Sequence, residues 1–315
     1  MNRNGMKPWA LHLGVLGALF ALQFALPQYH STNLARIMVL AVFAMGYNIS
    51  FGYTGLLSLG HALFFAAGMY GMGLPIWLLE WTSLPALAMG LMAGGAVAGA
   101  VGLLALRTAG VSFMIVTLMF AQAGYLLILY FGSVTGGDEG FVVERAGRII
   151  AGVDLASTTP RFIVAWGLYA VAMIGCLVLV RSPFGRVMIA MRENEERSRM
   201  LGYNPFKVKL VALVLSGLYA GAAGAAYGML FGYVGATFAT IQYSILPMLY
   251  VLLGGAGTVL GPLIGAALMF YLIDIASGYT TAHLFVVGAA LVVLVLFAPK
   301  GILGTIRERG VSWLP

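Results

Sequence analysis

The sequence predicts an all-α, polytopic membrane helical bundle of about ten transmembrane spans with two glycine-rich helix breaks and both termini cytoplasmic. Three observations predict it. Hydrophobic residues fill 61% of the 315 positions and charged residues only 9%, and the mean hydropathy of +0.97 lies far outside the soluble range. Apolar runs near the ~20 residues that cross a bilayer recur along the chain, and basic residues collect on alternate connections between them.

The runs, in order, lie at 9–27, 34–51, 61–79, 84–106, 111–131, 161–180, 210–233, 238–254, 259–277 and 283–298. Trp9–Leu26 is followed by no small-residue cleavage site, so it reads as a first transmembrane helix rather than a removable signal. With the N-terminus inside, thirteen lysines and arginines fall on cytoplasmic segments and four, Arg36, Arg145, Arg148 and Arg161, on the other side. That bias sets the orientation. The net charge of +7 is accounted for by anionic lipid headgroups beside the membrane and calls for no nucleic acid. The chain's one cysteine, Cys176, lies mid-span, which excludes internal disulfides and cysteine-ligated metals.

The whole of 1–315 reads as one transmembrane domain with two substantial polar loops. The extracytoplasmic loop, 132–160, contains "GSVTGGDEGF" and mixed charge; its glycines permit turns with positive φ. It reads either as a solvated connector or as a surface that receives something from outside. The cytoplasmic loop, 181–209, holds "RENEERSRMLG", which packs six ionisable side chains into eleven positions. Read as a helix, it places Phe184, Val187, Met188 and Met191 in one apolar stripe. Ser182-Pro183 suits its start and Gly202 its stop, and Glu193–Arg197 and Glu195–Arg199 are i, i+4 pairs. Such a helix is either solvated or a docking knob for a cytoplasmic protein.

Ionisable groups inside a membrane count as functional candidates. His12 has no evident partner and reads as packing or snorkelling, while Asp274 sits close enough to a span end to reach the interface. His61 closes "NISFGYTGLLSLGH", 48–61, where Asn48, Thr54, Ser58, Gly52, Gly55 and Gly60 interrupt the second and third spans. Irregular backbone at membrane depth survives only when buried in protein or lining a polar cavity, and transporters place substrate sites at such breaks. "VLLGGAGTVLGPLIGA", 251–266, has the same character through Gly254, Gly255, Gly257, Gly261 and Pro262. A tight helix contact through small residues would explain either break alone; the two together favour a path through the bundle. The candidate path groups are therefore Gly52, Thr54, Gly55, Ser58 and His61 with those later glycines and Pro262.

There is no HExxH, no GxSxG elbow and no Cys/His cluster at metal-ligand spacing, so an intramembrane hydrolase has little support. There is no GxxxxGK[ST] either, and none of the lysines at 7, 207, 209 and 300 follows a glycine-rich loop. The chain carries no cofactor of its own, and any ATP must be bound by a partner.

These motifs carry a resemblance. "GYTGLLSLGHALFFAAGMY" (52–70), "TGGDEG" (135–140), the run from Ser182 to Ala225, "VLLGGAGTVLGPLIGAAL" (251–268) and "FAPKGILG" (297–304) resemble LivM-type permeases in order and spacing. Glu196 and Gly202 match the spacing of the importer coupling motif E-A-A-x-x-x-G, with Arg197 and Ser198 in place of the alanines. Leu56 stands where many relatives have glutamine, a departure that bears on substrate choice. The resemblance implies a bacterial inner-membrane permease for branched-chain amino acids, paired with a LivH-type permease, two cytoplasmic ABC ATPases of LivG/LivF type that hold ATP-Mg, and a periplasmic substrate-binding protein. It implies coupling to the ATPases through Arg186, Arg192, Glu193, Glu196 and Gly202. Contact with the binding protein is expected at Gly136, Gly137, Asp138 and Glu139. Urea, short amides and aromatic acids are alternative solutes, and an ion-coupled transporter or a passive channel is the alternative class.

Overall fold

A computed structural model gives the chain's fold and describes residues 3–150, 152–280 and 300–309, with scattered positions between 281 and 299. The helices are α1 (Arg3–Ala25), α2 (Gln28–Asn48), α3 (His61–Leu79), α4 (Ser83–Ala105), α5 (Val111–Tyr130), α6 (Gly132–Thr135), α7 (Thr158–Arg181), α8 (Pro183–Glu193), α9 (Glu195–Met200), α10 (Pro205–Phe231), α11 (Ile241–Gly254), α12 (Gly261–Tyr279) and α13 (Gly301–Arg309). Among the described residues, eight of these are long and apolar enough to cross a membrane, so the chain is an all-α, multi-pass membrane bundle.

Two spans differ from the sequence expectation. The eighth, predicted over 238–254, is a helix of 14 residues, Ile241–Gly254, preceded by a 3-10 turn at Ala236–Ala239. At 1.5 Å per residue it rises about 21 Å, short of the ~30 Å hydrocarbon core. The tenth, predicted over 283–298, falls mostly outside the described residues.

α2 is the central column, packed by α7, α10, α11 and α12. From Ile37 to Ser50 every residue of it and its extension is buried, which is why its sequence is apolar all round. Beside it, α3, α4 and α10 meet through glycine. A Cβ at Gly68 would overlap the backbone of Gly221, and one at Gly94 would stand 2.5 Å from the Gly221 Cα. Small residues let these backbones touch directly.

α7, 24 residues long, rises about 36 Å and so separates the 132–157 segment at one end of the bundle from α8 and α9 at the other. The 132–157 segment is folded onto its end. Strand β1 (Phe141–Val142) pairs antiparallel with Tyr233–Val234, just beyond α10, and β2 (Ile149–Ile150) pairs with β3 (Val153–Asp154). Arg148 donates to the carbonyls of Met229 and Leu230 at 2.8 and 2.5 Å, satisfying the last turn of α10. Ser83 donates to the Gly147 and Ile149 carbonyls, and Trp77 stacks on Phe141 at 4.4 Å.

At the other end the predicted single helix is two. Ser182 caps α8 by accepting from the Gly185 N–H, and Met188 and Met191 are buried with Phe184 and Val187 packed beside them, as the apolar stripe requires. Asn194 then turns extended, with φ −158° and ψ 103°, and its side chain accepts from the Arg197 N–H at 2.8 Å to start α9. Asparagine offers the backbone this alternative to continued helix, so the expected Glu193–Arg197 pairing, which spans the bend, gives way, and the Glu195–Arg199 pairing inside α9 does not form either. Glu195 pairs instead with Lys209 at 2.6 Å. Gly202 stops α9 as expected: at φ +90° it donates to Arg199, and Tyr203 donates to Ser198, the two bonds of a Schellman ending.

Candidate functional site

The first break starts where α2 loosens into a π turn, Ile49–Tyr53, and runs without helix from Thr54 to Gly60. Five backbone donors of this stretch and of the start of α3 are met internally. Gly55 and Leu56 donate to the carbonyls of Phe51 and Ser50, Leu59 to the Thr117 hydroxyl at 3.2 Å, Gly60 to the Ser58 hydroxyl, and Ala62 to the Ser244 hydroxyl at 3.0 Å. Buried irregular backbone is stable inside a bilayer on those terms.

Three of the predicted path groups belong to this scaffold. Thr54 donates to the Ile49 carbonyl at 2.9 Å, and Thr54, Ser58 and His61 are all 2% exposed or less. Ser216 donates to the Gly46 carbonyl and Ser50 to the Tyr47 carbonyl, so the hydrogen between ring and hydroxyl sits on the imidazole. His61 Nε2 donates to Ser216 Oγ at 2.7 Å, with Ser50 Oγ at 3.3 Å, leaving Nδ1 unpartnered. His61 thereby fastens α3 to α10, with Tyr47 edge-on at 4.7 Å.

The second break joins α11 to α12. Gly254 lies so close to Gly261, and Gly265 to Tyr250, that neither has room for a Cβ, and Pro262 is in the first turn of α12. Gly255 and Gly257 have φ of +121° and +76°, a region that glycine enters freely. α13 closes on the same loop: a Cβ at Gly301 would stand 2.5 Å from the Gly255 nitrogen.

The two breaks meet. Asn48 donates from Nδ2 to the Thr258 carbonyl at 2.9 Å and accepts at Oδ1 from the Gly257 N–H, also at 2.9 Å. One amide thus clamps loops more than 200 positions apart. Gly52 packs between them, where a Cβ would overlap Asn48. From the adjoining α8, Arg192 at the end of the helix donates to the Gly52 carbonyl, and its side chain runs past Gly55 and Gly257. Arg307 of α13 donates to the Gly257 carbonyl at 3.3 Å.

The structure therefore brings Arg192, Gly52, Gly55 and Gly257 into one cluster. Glu193 lines the cavity beside it, while Arg186, Glu196 and Gly202 stand apart, exposed along α8 and α9. Gly136 and Gly137 form a turn with φ of +77° and +60° that presents Asp138 and Glu139 to the exterior, anchored by the Tyr233 hydroxyl on the Glu139 carbonyl at 3.0 Å. On the same end, the carboxylate of Asp154 is held below the usual carboxylate range by the Ala156 N–H first and by Arg145 next. His12 is buried and bonded to the Pro8 carbonyl at 2.6 Å, a packing role. Asp274 accepts from the Tyr29 hydroxyl at 2.7 Å. No group of three His, Cys, Asp or Glu that could hold a metal occurs among the described residues.

Sequence reasoning undervalued Asn48 and did not single out Ser216, Ser244 or Arg307. The signal for Ser216 and Ser244 is a lone hydroxyl in an otherwise apolar run. For Arg307 there is none, since a basic residue in a terminal segment reads as surface.

Comparison with known proteins agrees with this architecture. A family model described as "Branched-chain amino acid transport system / permease component" matches residues 30–296. The high-affinity branched-chain amino acid transport system permease protein LivM of Escherichia coli K12 is 28% identical over 93% of this chain and 75% of its own length. Its counterpart in Salmonella typhimurium is 27% identical over 86% and 69%. The LivH permease of Salmonella typhimurium is 26% identical over 84% of this chain and 91% of its own. No solved structure matches. Breaks, clamp and helix order thus sit inside a match that spans most of the sequence, and the chain belongs to the family of branched-chain amino acid transport permease components.

Proposed function

We propose that the protein is a permease subunit of an ATP-driven importer of branched-chain amino acids in a bacterial inner membrane. In this reading α8 and α9 face the cytoplasm and the 132–157 segment faces the periplasm, as the thirteen-to-four distribution of basic residues supports. A LivH-type permease completes the pore, a periplasmic binding protein delivers solute to the Asp138–Glu139 turn, and two ATPases hold ATP-Mg and grip α8 and α9. The names of the relatives support the permease pair and the solute class.

The observation that carries the reading is the bond from Arg192 to Gly52. Arg192 sits on the element an ATPase would move, and its partner is backbone of the first break. The rigid α8, anchored by buried Met188 and Met191, transmits displacement to Gly52, from Gly52 through Asn48 to Gly257, and so to both breaks together. The first and last links are hydrogen bonds to main chain and the middle one is the close packing of Gly52 on Asn48, so motion of α8 reaches the path as a shift of backbone. His61 and Ser216 keep α3 and α10 together during that shift.

The test is radiolabelled leucine uptake in cells lacking the chain, with and without its return, alongside the cognate binding protein and ATPases. Restored uptake that isoleucine and valine compete away is the expected result. Uptake of leucine that ignores the chain, with urea or an aromatic acid depending on it, would reassign the solute. Uptake independent of the ATPases would refute the importer class.

A further inference from the structure

Two cavities of about 680 and 580 Å³ open at the α8 end and share Arg192, Ala256 and Arg307 in their walls. The first also carries Lys300 and Glu308, which pair with each other; the second carries Arg181 and Glu193. Arg192 and Arg307 converge on one stretch of main chain. Arg307 holds the Gly257 carbonyl, while a Cβ on the same Gly257 would lie 3.2 Å from Arg192 Nη1. Among the described residues neither guanidinium is in an ion pair.

Two like charges drawn together repel when neither is ion-paired to the carboxylates that share the cavity walls, Glu193 and Glu308, and each guanidinium has five N–H donors of which a single carbonyl engages one. A planar oxyanion suits such a fork, accepting two parallel bonds from an arginine. We propose that the Arg192–Arg307 junction is an oxyanion site, taking the carboxylate of a small solute or the phosphate of a lipid headgroup. The anion bonds to the two side chains that fasten both breaks, so its occupancy is felt at α8. A carboxylate source would make the site a sensor of solute accumulated at the α8 end; a headgroup source would make it a lipid requirement. The chemistry is independent of which solute the importer carries.

The assembled transporter in neutral phosphatidylcholine nanodiscs is titrated with inorganic phosphate, L-leucine or leucinol at constant ionic strength held with chloride, and its unfolding midpoint is followed. A parallel series replaces part of the phosphatidylcholine with phosphatidylglycerol. The site predicts a saturable rise with phosphate, and Arg307→Gln weakens the apparent affinity about tenfold while Arg307→Lys keeps part of it. A rise with leucine but not leucinol that Arg307→Gln abolishes identifies the solute carboxylate. A rise confined to phosphatidylglycerol discs and lost in the same variant identifies the headgroup. The proposal is overturned if none of the anions stabilises the unmodified transporter, or if stabilisation survives Arg307→Gln undiminished, since general salt effects would then account for it.

Discussion

At the scale of single residues, Asn48 carries the most structure for its size. Its amide satisfies one donor and one acceptor of the second break, both at 1% exposure or less on the clamp and on Thr258. Asn48→Leu keeps the volume and strands the Gly257 N–H and the Thr258 carbonyl, each costing about 1–3 kcal/mol when buried without a partner. The expected outcome is a lower unfolding midpoint and loss of uptake with the protein still inserted; a midpoint equal to the unmodified protein would refute the clamp. The residue was visible in the sequence as a polar group in an apolar span. Its partner was not, because nothing in the local pattern around 48 points to position 257. Arg192 repeats the case: its place on a charged polar segment was legible, whereas its bond to Gly52 depends on how the bundle closes.

At the scale of elements, the apolar stripe of α8 and the stop at Gly202 followed from spacing and from glycine's freedom at positive φ. The division at Asn194 did not, because ion pairs at i, i+4 made a continuous helix look well supported. Capping outweighs the one pair that the bend separates, Glu193–Arg197: a cap is worth about 1 kcal/mol, against about 0.3–0.5 kcal/mol for an exposed helical pair. Asn194→Ala removes the cap and favours one straight helix over 183–200. It is expected to lower uptake per ATP hydrolysed in the assembled transporter while leaving assembly intact. An unchanged ratio of uptake to hydrolysis would show that the bend has no part in coupling. The eighth span shows a different limit, since apolar composition fixed its existence and not its length.

At the scale of the whole molecule, the orientation rests on charge distribution, and the buried single cysteine makes it directly testable. Cys176 is fully buried, so a thiol introduced elsewhere is read against a silent background. Asp138→Cys is expected to react with a membrane-impermeant maleimide added outside intact spheroplasts, and Arg199→Cys only after the membrane is opened. The reverse pattern would invert the topology and the proposed delivery face with it. The helical class and the two breaks were legible because hydropathy and glycine content are properties of composition. How the breaks meet is a property of the closed bundle.

The glycine contacts among α3, α4 and α10 have a mechanical consequence. Where main chain rests on main chain there are no rotamers to change, so the joint has no soft coordinate along which to yield gradually. These three helices can only travel as a block, and every degree of freedom the molecule has for changing shape is concentrated outside them.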